Sequence, residues 1–337
     1  MRILVGMSGG VDSSYVAMKL IAEGHCVEGA LLIMHEYVDV TAAESAAEKI
    51  GIPLHVIDCR EKFDKIVKSD FVNEYKNGRT PNPCIVCNPK IKFRALCDYA
   101  KEHGFDRIAT GHYARLTELP SGHHAIAVAE DKRKDQSYML YRLPEDVLSM
   151  LMLPLGESRK SDIRSELSEA GLSELDRKDS QEICFIPEGS YAEYVEAEMG
   201  TPEKGEFVDK QGRVLGIHEG IARYTIGQRK GLGISLGTRA FIVDIDPVTN
   251  RITLDTEPIL SDAFMVRDAV MVEGFSSGEY DVKIRYAAEA VKGSVGWIDG
   301  TRAVVQLCRP VKSITPGQSA VFYKDGIVVG GGVIEKV

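Results

Sequence analysis

The strongest constraint on the fold is the alternation of short apolar runs with longer amphipathic segments in the first part of the chain. Between the runs, segments such as residues 12–25 carry apolar residues at helical spacing and end near a glycine. This alternation predicts an α/β doubly wound parallel sheet, whose ligands bind beyond the carboxyl ends of the strands. The apolar runs that predict buried strands are RILVGM, CVEGALLIM, PLHVIDC and DRIATGHYA.

The later part of the chain has a different pattern. A capped helix is predicted from Ser161 to Gly171, within a helical and mixed segment. After Gly205, short runs of Val, Ile and Phe between Gly, Asp and Pro turns are typical of small antiparallel β domains or barrels. Within this part, DPVTNR and YKDGIV predict hairpin turns. These changes of pattern indicate that the parallel sheet of the first part is followed by one or more small β domains.

Length and charge narrow the class of protein. A chain of 337 residues is long enough for two or three domains with their own cores. It has no run of about 18 apolar residues and no secretory signal, so we expect a cytoplasmic protein without a membrane span. The net charge of −9 counts mildly against nucleic-acid binding, although Lys90, Lys92 and Arg94 form a local basic cluster. Taken alone, such a cluster is more typical of solvated surface. The odd count of seven cysteines argues against a disulfide framework.

The first predicted strand leads directly into the loop SGGVDSS, which begins at Ser8. Backbone N–H groups exposed by Gly9 and Gly10 can form an anion cradle, and the following helix adds its N-terminus. These features suit a pyrophosphate better than a simple glycine turn, although the lysine-containing P-loop and the G-x-G-x-x-G pattern are both absent. The loop resembles that of the pyrophosphate-loop ATPases, which adenylate a carbonyl oxygen. That resemblance implies that Asp12 helps to hold Mg²⁺ or positions the loop.

A second unusual stretch, GRTPNPCIVCNPKIKF, covers residues 78–93. Its prolines and asparagines predict a rigid loop, followed by a helix that begins near Pro89. Cys87 would then precede a helix N-terminus, where a thiol has a lowered pKa. The alternatives for Cys84 and Cys87 are a pair of buried thiols or half of a structural zinc site. A second C-x-x-C pair, which a zinc site usually needs, is missing from the sequence.

Three further motifs carry residues suited to chemistry. ATGHYAR ends a predicted strand, where Gly111 allows close backbone approach and His112 would point into the crevice of the sheet. In KDQSYML, Lys134 and Gln136 could contact a phosphate and a base edge, or could belong to a charged turn. In DSQEICFI, Cys184 lies between apolar residues, so an inert buried thiol is the alternative to a functional one.

Five motifs along the chain, the four described above and YTIGQRKGLG, together resemble the tRNA-specific 2-thiouridylase family. The resemblance extends over nearly the whole chain, to PGQSAVFY near Pro316. It implies a pyrophosphate-loop domain, a small central domain and a C-terminal β-barrel, which we expect over residues 1–200, 201–260 and 261–337 in agreement with the changes of pattern along the chain. It also implies ATP-dependent adenylation of the wobble uridine C2 oxygen in Lys, Glu and Gln tRNAs, and replacement of that oxygen by sulfur. The motifs are PNPCIVCN, ATGHYAR, KDQSY, SQEICFI and YTIGQRKGLG.

The family resemblance also implies roles for individual residues. Sulfur would arrive as a persulfide on Cys184, and Cys87 would release it, leaving a Cys87–Cys184 disulfide that is reduced in each turnover. ATP would lie on a set of loop residues, with the adenine beside Met34 and the nucleotide beside Gly111. The loop residues in that set are Gly6, Met7, Ser8, Gly9, Gly10, Val11, Asp12 and Ser13. The implied tRNA contacts are Asn82, Pro83, Cys84, His112, Lys134, Asp135, Gln136, Arg285, Tyr286 and Gln318.

One residue departs from the family pattern. Many family members carry Asp where this chain has Cys84, and that Asp is a candidate general base. A second scheme is therefore open, in which Cys84, Cys87 and Cys184 hold a four-iron–four-sulfur cluster with one iron open to sulfide. The sulfur donor is accordingly either a persulfide or sulfide. Two other functions also remain open, namely a pyrophosphate-loop amide- or nucleotide-forming synthetase and a non-catalytic RNA-binding protein.

Overall fold

The computed structural model describes residues 1–169, 183–186, 190–200, 202–234 and 237–335. Its N-terminal part is a parallel sheet in the order β3-β2-β1-β4-β7, which confirms the predicted doubly wound α/β fold. The apolar runs seen in the sequence supply its central strands, because both faces of these strands are covered by helices. The strands are β1 (Arg2–Gly6), β2 (Cys26–Ile33), β3 (Leu54–Asp58), β4 (Arg107–Ala109) and β7 (Leu151–Met152).

The helices around this sheet include two long segments that the sequence did not indicate as continuous. In each, a π-helical stretch joins two α-helices without a break, at Asp64–Lys68 between α3 and α4 and at Asn88–Lys92 between α5 and α6. The predicted end of α8 at Gly171 lies outside the described residues. The α-helices are α1 (Val11–Ala22), α2 (Val40–Ile50), α3 (Arg60–Phe63), α4 (Ser69–Lys76), α5 (Pro83–Cys87), α6 (Phe93–Glu102), α7 (Glu145–Leu148), α8 (Lys160–Glu169) and α9 (Tyr191–Met199).

The small central sheet has the order β10-β11-β8-β9. The expected antiparallel pattern holds for two of its pairs, but β11 pairs with β8 in parallel. The reason is the long connection between β9 and β10, which carries the chain to the opposite edge of the sheet; a tight hairpin cannot join parallel strands. DPVTNR forms the β10–β11 turn, as predicted. The strands are β8 (Gly205–Val208), β9 (Val214–His218), β10 (Phe241–Asp246) and β11 (Arg251–Asp255), and a 3₁₀ turn covers Ile221–Arg223.

The C-terminal strands form a closed barrel in the order β12-β15-β14-β13-β16-β17, which β12 and β17 close by pairing with each other. YKDGIV forms the predicted β16–β17 hairpin, with Asp325 and Gly326 both at positive φ as a type I′ turn requires. The strands are β12 (Leu260–Met271), β13 (Gly278–Lys283), β14 (Val291–Trp297), β15 (Ala303–Lys312), β16 (Ser319–Lys324) and β17 (Ile327–Ile334).

The N-terminal domain is joined to the barrel by a shared sheet. Its hairpin of β5 (Arg115–Glu118) and β6 (His124–Ala127) extends β17, with Ala127 opposite Ile327. A 3₁₀ turn at Ser137–Leu140 follows this hairpin, and Tyr138 within it is fully buried and donates to the Ser319 carbonyl of the barrel. Within the described ranges, no helix is both long and apolar enough to cross a bilayer.

Candidate active site

The loop between β1 and α1 is shaped around its glycines. Gly9 has φ +75°, and a Cβ atom at this position would lie 2.5 Å from the carbonyl carbon of Ala42 in α2. Only glycine meets both conditions without strain. The Ser13 hydroxyl accepts a hydrogen bond from the Ser8 backbone N–H at 3.3 Å and donates to the Gly10 carbonyl at 3.1 Å. Because Gly10 provides no side-chain cap for α1, N–H groups of its first turn are left for another acceptor.

Asp12, in the first turn of α1, is held by two residues from other elements. The Lys160 ammonium, at the start of α8, lies 2.7 and 2.8 Å from its two carboxylate oxygens, and the Tyr113 hydroxyl donates to it at 2.7 Å. Lys160 is buried, so this ion pair is largely shielded from solvent. The sequence analysis missed both partners. No local signal could have identified Lys160, since it lies 148 residues from Asp12 along the chain.

The carboxyl end of β4 packs directly onto this loop. A Cβ atom at Gly111 would lie 2.9 Å from the Cβ of Asp12, so a larger residue would push the two segments apart. The next residue, His112, bonds through Nδ1 to the Thr110 hydroxyl at 2.9 Å and packs its ring against Phe93. Burial, with a smaller contribution from the charge of Lys92, lowers the pKa of His112 well below 6.5. The imidazole is therefore neutral at pH 7.

A cavity of about 290 Å³ brings together cysteines that are distant in the sequence. Its apolar lining includes Met34 and Phe63, and we refer to it as the thiol cavity. It contains several residues from the predicted site and two polar residues that were not predicted, Asn88 and Lys92. The polar and thiol side chains that line it are Asn82, Cys84, Cys87, Asn88, Lys92, Cys184 and Gln318.

The predicted environment of Cys87 is wrong. The helix begins at Pro83, with the Asn82 side chain accepting from the Cys84 N–H as its N-cap, and it continues through Pro89. Proline is tolerated at the first helical turn, and the π-helical stretch that starts at Asn88 accommodates the second one. Cys87 therefore lies inside a continuous helical segment and is buried. Burial raises the pKa of its thiol to about 12, whereas the sequence predicted a lowered pKa.

Cys184 is held at the cavity by its neighbour Phe185. The Phe185 ring packs edge-on against Phe63 and Phe71, with centroids 5.5 and 5.4 Å apart, and is nearly fully buried. Cys184 itself is exposed, so the alternative of an inert buried thiol is wrong. Partial desolvation raises the pKa of the Cys184 thiol, and a negative charge on Cys84 would raise it further. The preceding part of this motif, residues 179–182, lies outside the described residues.

The structure allows a test of whether these groups fit a metal. All seven cysteines are free thiols, so Cys87 and Cys184 are not joined here. Among the described residues, no three His, Cys, Asp or Glu side chains are arranged to hold one metal ion. The thiol donors have the right chemistry for an iron–sulfur cluster, but they do not form its ligand geometry as they stand. In the loop, Asp12 is a single carboxylate, and Mg²⁺ bound there would depend on nucleotide phosphates for further ligands.

The predicted tRNA contacts fall into two groups. Asn82, Cys84 and Gln318 line the thiol cavity with Pro83. The others lie outside its lining, and several of their side chains make internal hydrogen bonds.

The KDQSY turn is fixed by its own side chains. The buried Asp135 carboxylate accepts from the Ala129 N–H and from the Ser137 hydroxyl, at 2.9 and 2.8 Å. Gln136 Oε1 accepts from the Tyr113 N–H at 2.9 Å, next to His112.

In the barrel, Arg285 donates to the Ser313 carbonyl and the Thr315 hydroxyl. Adjacent Tyr286 is more than a third exposed, with the Lys283 ammonium 5.5 Å from its ring centroid. Lys134 is half-buried.

Together, the parallel sheet and the glycine–serine loop between β1 and α1 define a protein of the pyrophosphate-loop class, extended by a small β domain and a β-barrel. Family models match the chain in three consecutive segments. They are described as tRNA methyl transferase HUP domain (residues 1–188), tRNA methyl transferase PRC-barrel domain (193–255) and aminomethyltransferase beta-barrel domain (261–334).

Curated relatives identify the family more closely. The tRNA-specific 2-thiouridylase MnmA 1 of Clostridium botulinum strain Okra is 41% identical over 348 residues, covering 99% of this chain and 98% of its own. MnmA 2 of strain Hall matches with the same identity and coverage. The chain belongs to the tRNA-specific 2-thiouridylase family, which confirms the resemblance seen in the motifs. A more distant similarity links 53% of the chain to 66% of the NMN synthetase of Francisella tularensis, with a TM-score of 0.35 and 16% identity.

Proposed function

We propose that this protein is an ATP-dependent tRNA-uridine 2-sulfurtransferase that converts the wobble uridine of tRNA into 2-thiouridine. The observation that carries the proposal is the meeting of Cys87 and Cys184, which are far apart in the sequence, at one cavity in a chain of this family. A synthetase that forms an amide or a nucleotide has no use for two such thiols.

The loop between β1 and α1 supports the nucleotide half of the reaction. We propose that its N–H groups, between Gly6 and Ser13, hold the phosphates of ATP, with Met34 near the adenine and Gly111 beside the nucleotide. Mg²⁺ would be held by Asp12 together with the phosphates, so Asp12 would have to share or exchange its contact with Lys160. ATP supplies the adenylyl group that turns the uridine C2 oxygen into a leaving group.

The thiol cavity supports the sulfur half. In the proposed scheme, Cys184 carries a persulfide received from a donor protein or small thiol. Cys87, after losing its proton, attacks the inner sulfur of this persulfide and forms the Cys87–Cys184 disulfide. The outer sulfur leaves as hydrosulfide and adds to C2 of the adenylated uridine, and AMP departs. An external thiol then reduces the disulfide, supplying two electrons and two protons.

The cluster scheme is the second candidate, and the presence of three cysteines on one cavity favours it. Cys84, Cys87 and Cys184 would be its thiolate ligands after a rearrangement of their side chains. Iron content separates the two schemes. Anaerobically purified protein with about four irons per chain and broad visible absorbance supports the cluster. Iron-free protein that thiolates tRNA from a persulfide donor excludes it.

The substrate in either scheme is tRNA, and we propose the tRNAs for Lys, Glu and Gln. The target uridine must leave the anticodon stack to reach the cavity, as in other enzymes that act on a base atom. Residues around the cavity mouth, with His112, Lys134, Asp135, Gln136, Arg285 and Tyr286, are the proposed contacts to the stem-loop. We also propose a cytoplasmic location, with which a tRNA substrate is consistent.

The decisive experiment is mass spectrometry of tRNA nucleosides after incubation with the protein, ATP, Mg²⁺ and a persulfide or sulfide source. We expect 2-thiouridine to appear only when ATP and a sulfur source are both present. Cys184→Ala should abolish it, whereas Cys308→Ala, at an exposed barrel position, should leave it unchanged. ATP–pyrophosphate exchange without any thiolated product would instead favour a synthetase. RNA binding without either reaction would favour a non-catalytic protein.

A further inference from the structure

Among the described residues, Lys92 is the one cationic side chain in the lining of the thiol cavity, and the sequence analysis did not place it there. The lining also contains Cys84, Cys87 and Cys184, and none of its described residues carries a carboxylate or an imidazole. Lys92 is half-buried at the end of the π-helical stretch.

The Lys92 ammonium has no partner of its own in the part of the chain that the structure describes, neither an ion pair nor a hydrogen bond. Nearby cations differ in this respect. Arg94 is paired with Asp146 at 2.7 Å, and Lys68 with Asp64 at 2.9 Å. Lys90, two residues earlier, lines a different cavity. Lys92 is therefore available to an anion inside the thiol cavity.

The π-helical stretch explains how Lys92 and Cys87 come to share a face. Residues five apart in a regular α-helix are rotated by about 140° around its axis. A π-helical turn, with hydrogen bonds between residues five apart, brings such residues close to alignment. Here the Phe93 N–H bonds to the Asn88 carbonyl in that pattern. The insertion thus turns Lys92 toward the cavity that Cys87 also lines.

The charge of Lys92 acts on the groups around it. It lowers the pKa of both Cys87 and Cys184, against the larger effect of burial, which raises them. The same charge lowers the pKa of His112. Cys84 is the remaining titratable group among the described lining residues, and its thiolate would act on Cys87 and Cys184 in the opposite direction. Lys92 is thus the group in this lining that favours ionised sulfur.

We propose that Lys92 is a positioning residue for sulfur transfer, whose ammonium stabilises the thiolate of Cys87 or Cys184 and the terminal sulfur of a bound persulfide. This inference rests on the proposed function and adds a residue to its site. None of the described lining residues offers a carboxylate to remove a proton, so an anionic sulfur there depends on the counter-charge of Lys92.

The test is the rate of iodoacetamide alkylation of each cysteine between pH 6 and 10, resolved by peptide mass spectrometry on the full-length protein. In Lys92→Met we expect the exposed Cys184 to react about tenfold more slowly at neutral pH, with its profile moved to higher pH, since a neighbouring charge shifts a pKa by about one unit or more. Lys92→Arg should keep the wild-type profiles. Lys90→Met is the matched control on the same helical stretch and should leave them unchanged.

The exposed thiols Cys26 and Cys308 serve as internal references. An unchanged Cys184 profile in Lys92→Met, or an equal change in Lys90→Met, would overturn the proposal. If Lys92→Met does not fold, Lys92→Gln takes its place, because it keeps a polar chain of similar reach without the charge. Thiolation of tRNA by the wild type is measured in parallel. If the wild type thiolates tRNA but the cysteine profile does not move in Lys92→Met, this inference alone is overturned. If the profile moves but the wild type does not thiolate tRNA, the proposed function alone is contradicted.

Discussion

At the scale of single residues, the site depends on charges whose partners lie far away in the chain. Asp12 could be recognised in the sequence because it sits in a distinctive loop, but its contact with Lys160 comes from the packing of α8 against α1. Likewise, Cys87 was recognised by its motif, and yet its ionisation was wrongly predicted because burial depends on the surrounding fold. Residue type is visible in the sequence, whereas environment is not.

The ion pair between Asp12 and Lys160 leads to a prediction for stability. In Lys160→Met, the partly buried carboxylate of Asp12 keeps the hydrogen bond from the Tyr113 hydroxyl but loses its counter-charge. We expect the free energy of unfolding to fall by about 2 kcal/mol, below the range for fully buried pairs because Asp12 is partly exposed. Lys65→Met, which breaks an exposed pair with Glu61, should cost under about 0.5 kcal/mol. Urea unfolding measures both, and equal costs would contradict the assignment.

The low pKa of His112 predicts a pH dependence. The folded state resists protonation, so below pH 6.5 the unfolded state binds a proton that the folded state does not. The contribution of His112 to stability is therefore unchanged above pH 7 and falls as the pH decreases, by up to about 1.4 kcal/mol per pH unit. In His112→Gln, the loss between pH 7 and 5 should be smaller than in the wild type, as followed by urea unfolding at each pH. If stability falls equally steeply with decreasing pH in both proteins, this role of His112 is excluded. His103→Gln, at the end of α6, is the control.

At the scale of elements, the sequence predicted regular pieces well and interrupted ones poorly. RILVGM and CVEGALLIM became β1 and β2, because continuous apolar runs are characteristic of strands buried on both faces. The segment between two prolines, Pro83 and Pro89, was predicted to be a rigid loop, with a helix beginning only near Pro89. The structure uses the first at a helix start and the second at a π-helical stretch, and that choice is what orients Cys87 and Lys92.

The loop between β1 and α1 makes a prediction about packing between elements. In Gly9→Ala, the new methyl group would collide with α2, in addition to the strain of a positive φ. Gly24→Ala, just after α1, has the same kind of φ but meets nothing within 4 Å, and so isolates the strain alone. We expect Gly24→Ala to cost about 1 kcal/mol and to bind ATP normally. Gly9→Ala should cost more and should lose ATP binding, measured by titration calorimetry. Similar ATP affinity in the two variants would show that contact with α2 is unimportant for the cradle.

At the scale of the whole molecule, the barrel contributes to the thiol cavity. It supplies Gln318 to the lining of this cavity. It also holds Thr80, just before the helix that carries Cys84 and Cys87. Gln318 Nε2 donates to the Thr80 carbonyl at 2.8 Å, and the Thr80 N–H donates to the Pro316 carbonyl at 2.9 Å. The three-part architecture was predicted from the family resemblance, with which the changes of pattern along the sequence agree. The β5–β6 hairpin that extends β17 was not, because its pairing joins segments on opposite sides of the central domain in the chain.

The junction between the N-terminal domain and the barrel centres on Glu74, which is almost completely buried and supports the last prediction. Its carboxylate binds Arg79 through two hydrogen bonds, at 2.5 and 2.8 Å, and the barrel residue Arg267 at 3.0 Å. Glu74→Gln keeps the shape but removes the charge between two guanidinium groups. We expect a loss of about 3 kcal/mol, as for other buried pairs that lose one partner. Because Thr80 follows this junction directly, hydrogen exchange in the peptide that contains it should also become faster.

Glu206→Gln is the matched control for this junction, since it neutralises a more exposed pair with Arg251 in the central domain. It should cost under about 1 kcal/mol and leave the Thr80 peptide unchanged. If the two variants are equally stable and equally protected, the barrel is not anchored through Glu74. If Glu74→Gln instead loosens the Thr80 peptide and slows sulfur transfer while ATP binding is retained, the barrel positions the cysteines independently of the nucleotide loop.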